Sequence, residues 1–127
     1  MRIVRHFLVA AAALALAAAT ATAAPAKPIY KVDAASAKIV GRNLVVTASG
    51  AVNSGGWTAA RLHLKETYKP ESDTEVIEFL ATPPPPGEVV VQALLPVTAT
   101  VTLALPRYAV VQVKIVAETN SVTTPIR

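Results

Sequence analysis

The chain contains no cysteine, which excludes a disulfide-stapled miniprotein and removes the thiolates on which closed zinc sites are commonly built. Histidine is nearly as scarce. Of the two, His6 lies in an apolar N-terminal segment, which leaves His63 alone. A hydrolytic centre needs a nucleophile with an oriented base beside it. On an extended segment the same-face neighbours of His63 are Arg61 and Lys65, and two cations oppose the imidazolium that a general base must become. The sequence therefore argues against an enzyme, and no cofactor or metal is expected. Charge of either sign is also sparse: the formal net charge is +4, and loss of Arg2 and Arg5 with an N-terminal segment would lower it by two. That excludes nucleic-acid binding driven by gross charge. No apolar stripe of helical length follows the N-terminal segment, and no internal repeat is present.

What is there begins with an export signal. Arg2 and Arg5 precede the unbroken apolar run from Phe7 to Ala19, and Ala21-Thr22-Ala23 supplies the small residues that signal peptidase needs. The expected cut follows Ala23 and exposes Ala24. At about 13 residues the run is short of the ~20 that a spanning helix needs. Residues 1–23 are read as the signal peptide, 24–28 as a loose Ala/Pro/Lys spacer, and 29–127 as one domain. The expected location is the periplasm or the medium, without a membrane anchor after cleavage. About half of the remaining residues are apolar, ordinary for a globular domain.

Beyond the spacer the period is two. Val97, Ala99, Val101, Leu103 and Leu105 alternate with Thr98, Thr100, Thr102 and Ala104, the pattern of a strand with one buried face. Val111, Val113 and Ile115 alternate with Gln112 and Lys114, Leu62 and Leu64 with Arg61, His63 and Lys65, and Ile77 and Phe79 flank Glu78. Asn43 to Val52 and the almost wholly apolar Val89 to Leu95 read as strands near the middle of a sheet. Ile29 to Ala35 is a weaker first strand, with a helical turn at Ala34 to Ala37 as its alternative. Glycine and proline clusters at Gly41-Arg42-Asn43, Asn53 to Gly56, Lys69 to Asp73, Pro83 to Gly87, Pro96 and Pro106-Arg107 supply the turns between them. About seven strands at this spacing predict an all-β fold, a single immunoglobulin-like or fibronectin-like β-sandwich. Its expected core comprises Leu44, Val46, Leu62, Leu64, Ile77, Phe79, Val101, Leu103, Val111, Val113 and Ile115.

Three constellations remain. Glu71, Asp73 and Glu75 alternate as calcium ligands could, but without the central glycine and late glutamate of an EF-hand loop they read as a solvated hairpin tip. Pro83 to Pro86 is a stiff polyproline II segment, more simply a rigid connection than a ligand. The threonines of the strand from Val97 resemble one row of an ice-binding ladder, and one row is not a ladder. The most informative stretch is Ser54-Gly55-Gly56-Trp57, whose tryptophan either closes the core or makes contacts outside it.

Strand parity places the Asn53 to Trp57 and Pro83 to Gly87 loops at one end of the sandwich. Pro106 to Tyr108 joins them if Pro96 marks a reversal. That end would display Trp57, Arg107 and Tyr108 as partner-binding residues. The expected function is an exported, non-catalytic binding or accessory domain that recognises a protein or cell-envelope component through these loops. A structural protein acting by β-strand addition along Val89 to Leu95 is the alternative, and a small secreted hydrolase the third.

Overall fold

A computed structural model describes residues 25–65, 73–104 and 110–127. Among these residues the chain is all-β, with eight strands in two sheets: β1 (Lys27–Pro28), β2 (Lys31–Val40), β3 (Asn43–Val52), β4 (Thr58–Leu64), β5 (Thr74–Thr82), β6 (Leu95–Ala104), β7 (Gln112–Val116) and β8 (Ser121–Pro125). The smaller sheet has the order β2-β3-β6. In the larger sheet β5 carries β4 on one edge, while β1 and β7 share the other, and β8 follows β7. The β5–β7 pair is parallel; the other named strand pairs are antiparallel.

The alternation read from the sequence is what fills the space between the sheets. Leu44, Val46 and Ala48 of β3 face Leu62 of β4, Ile77, Phe79 and Ala81 of β5, and Val113 and Ile115 of β7, all buried. Leu64, Val101 and Leu103 are partly buried and pack against this cluster. Val111 is the exception. It shares the parity of Val113 but precedes β7, and it is 53% exposed.

Two bulges reset the parity. In β2, Val32 pairs with Gly50 but Ala34 pairs with Ser49, so Asp33 is the extra residue. Val32 and Ala37, five positions apart, are consequently both buried. In β4 a shift between Thr58 and Arg61 accompanies the left-handed φ of 54° at Ala59. The two-residue turn Gly41-Arg42 joins β2 to β3, with Gly41 at φ 62°, the glycine-first pattern of a type II′ hairpin.

The two sheets are joined along one side. Ala37 bridges Ile126 in parallel, the Arg127 amide donates to the Ala37 carbonyl at 3.0 Å, and the Ile39 amide donates to the Arg127 carbonyl at 2.9 Å. At the end of the sandwich where β2 begins, the Asn120 side chain substitutes for a neighbouring strand. Its Oδ1 accepts from the Val32 amide at 2.9 Å and its Nδ2 donates to the Val32 carbonyl at 2.8 Å.

Several expectations are corrected. Lys27 and Pro28, assigned to the loose spacer, form β1 against Leu80 and Ala81. The first long strand is Lys31–Val40, not Ile29 to Ala35, and Ala34 to Ala37 are extended rather than helical. Val89 to Leu95 does not form a strand; only Leu95 joins one. This stretch belongs to the connection that carries the chain from β5 in the larger sheet to β6 in the smaller, and a segment crossing the end of a sandwich cannot lie in either ladder. Pro96 does not reverse the chain: it lies within β6 opposite Ala51. β6 pairs with β3 on one side only, and an edge strand tolerates the missing proline N–H. The last strand, β8, has no counterpart in the periodicity, since Val122 is its one aliphatic residue.

Candidate functional site

The ends of the sandwich differ in chemistry. At the end where β3 finishes and β4 begins, Ser54 is buried and its hydroxyl accepts a hydrogen bond from Trp57 Nε1 at 3.2 Å. The same hydroxyl donates to the Gly55 carbonyl at 3.0 Å. The indole is partly buried and packs against the core cluster. Trp57 thus combines the two roles left open by the sequence, with one part of the ring closing the core and the rest open to solvent.

The neighbouring connection, residues 83–94, lies against this loop. The Gly55 amide donates to the Val91 carbonyl at 2.9 Å. Gly56, at φ 87°, leaves room for Pro84 and Val90; a Cβ there would stand 2.7 Å from Pro84 Cβ and 3.0 Å from Val90 Cγ1. Glycine is required on both counts, since only it accepts this φ freely and only it admits so close a neighbour. The Asn53 to Trp57 and Pro83 to Gly87 loops therefore share one end, as parity indicated.

Above this joint the connection turns its aliphatic side chains outward. Val89 is 97% exposed, Val91 66% and Leu94 54%. Single exposed aliphatics need no explanation, but here three stand within six residues, on a connection that opens with four prolines and packs against the loop before Trp57.

Arg107 and Tyr108 lie outside the described residues. The strand that leads to them, β6, finishes with Ala104 paired to Asn43, at the end of the sandwich opposite Trp57. The described structure thus brings the loop that carries Trp57 against the connection that carries Val89, Val91 and Leu94, which sequence reasoning assigned to a buried strand. Their almost wholly apolar run, broken by Gln92, was visible in the sequence. The signal that it was not a strand was the preceding Pro83 to Gly87, in which Gly87 adopts φ 85°.

His63 is exposed on the outer face of the larger sheet, opposite Glu78 and between Arg61 and Lys65. Among the described residues no group of three or more His, Cys, Asp or Glu side chains could hold a metal ion. Of the acidic cluster, Glu71 lies outside the described residues. The backbone carbonyl of Asp73 accepts from the Val111 amide at 2.9 Å, and its Oδ1 accepts from the Thr74 hydroxyl at 3.0 Å. On the outer face of the smaller sheet Thr47 and Thr100 join their hydroxyls at 3.1 Å. No family model matches the chain, and neither a curated protein nor a solved structure matches it.

Proposed function

We propose that the protein is an exported, non-catalytic binding or accessory domain that recognises a protein or cell-envelope component through the loops at the Trp57 end. The observation that carries this reading is the exposure of Val89, Val91 and Leu94 beside the partly open indole of Trp57. Aliphatic and aromatic surface on a proline-stiffened connection costs little entropy to order on binding. The export signal at residues 1–23 supports an envelope or extracellular partner.

A photoreactive amino acid at position 89 or 91, incorporated in the producing cell, tests the reading. We expect a discrete cross-linked adduct at both positions and none when the same group replaces Thr102, which is exposed on the outer face of the smaller sheet. Adducts of equal yield at all three positions would contradict a dedicated end.

A further inference from the structure

A second surface lies on the outer face of the larger sheet. Directly paired residues of neighbouring strands share a face, so the ladder defines what stands together there. His63 is opposite Glu78, which is beside Val116; Arg61 is opposite Leu80; Val76 is beside Lys114. Lys65 continues β4, its amide bonded to the Val76 carbonyl at 3.0 Å. Arg61, His63, Lys65 and Lys114 are exposed, whereas Val76, Leu80 and Val116 are half-buried between them. Glu78 is the one carboxylate among the described outward residues of β4, β5, β7 and β8. The described ion pair of this molecule, Lys31 with Asp33 at 3.1 Å, is elsewhere. Arg61 spends one N–H on the Ala59 carbonyl at 2.8 Å and keeps its other donors.

From this arrangement we infer that the outer face of β4, β5 and β7 docks on an anionic bilayer surface. Arg61 and Lys65 stand about 13.6 Å apart along β4 with His63 between them, and Lys114 lies two strands from Lys65, about 9.6 Å across. They rise around lower-lying aliphatic side chains. Long cationic side chains that reach out to headgroup phosphates, with aliphatic groups packed along their stems, form a surface complementary in charge to an anionic bilayer. Among the described residues the face has no aromatic side chain on which sugars or bases could stack. A second copy of the chain is disfavoured because a two-fold contact would bring together two like-charged faces, each with Glu78 alone against Arg61, Lys65 and Lys114 among the described residues. This inference is independent of the loops at the Trp57 end.

The test is flotation of the chain, purified as its producing cell exports it, with vesicles of equal parts phosphatidylglycerol and phosphatidylcholine, against vesicles of phosphatidylcholine alone. Binding should require the anionic lipid and weaken as salt rises. The double variant Lys65→Gln/Lys114→Gln should bind about thirtyfold more weakly at low salt. Lys38→Gln/Arg42→Gln, on the smaller sheet and its hairpin, should bind like the native chain. Both doubles change exposed side chains, and matching melting temperatures would confirm that folding is intact. Absence of binding, binding that ignores salt, or equal losses in the two doubles would overturn the inference. So would capture of soluble polyphosphate in preference to the vesicles.

Discussion

At the residue scale, the position that most constrains the fold is Gly50. It pairs with Val32 beside the Asp33 bulge, and a Cβ there would collide with the Lys31 carbonyl oxygen and stand 2.9 Å from Ile29 Cδ1. The first of these is backbone and cannot swing away. Gly50→Ala should therefore destabilise the domain by about 1 to 3 kcal/mol, measured as a shift in the urea midpoint at unchanged slope. In the sequence this glycine is a lone interruption of an apolar strand, which suggests close approach without saying what approaches. Trp57 posed the same difficulty: composition could not decide between core and surface because the indole belongs in part to each.

Among the elements, those with strict alternation were legible and those defined by their partners were not. β3, β5 and β6 carry their buried face in every second residue, so parity alone identified Leu44, Val46, Ile77 and Phe79. β2 defeated that rule because its bulge moves the buried set from Val32 to Ala37. β8 defeated it because its place depends on its ladder to β7 and on the bonds that Ile126 and Arg127, just beyond it, make with β2. In that turn the Ala117 amide donates to the Asn120 carbonyl at 2.9 Å, and the Thr119 hydroxyl donates to the Tyr30 carbonyl at 2.7 Å. Asn120 then completes both hydrogen-bonding groups of Val32, a residue with no exposed surface. Asn120→Ala leaves a buried amide and carbonyl without their side-chain partner. The expected loss is about 2 kcal/mol, with hydrogen exchange at the Val32 amide accelerated more than at Val46. Uniform acceleration across both strands would show that the contact serves global stability and not the local joint.

For the molecule as a whole, the sandwich separates the residues that hold it together from those left available for contact. Phe79, Ile77, Val46 and Val113 have no exposed surface, whereas the connection across the Trp57 end displays aliphatic side chains that the core does not use. The sequence could not show this division because Val89 to Leu95 has the composition of a buried strand. Only the crossing from one sheet to the other keeps it out of both ladders. The central claim is that these valines serve contact and not folding. Chemical unfolding of Val89→Ser/Val91→Ser tests it most directly. We predict a stability within about 0.5 kcal/mol of the native chain, whereas a loss of about 2 kcal/mol or more, comparable to truncating a core residue, would contradict it and make this connection a lid on the core.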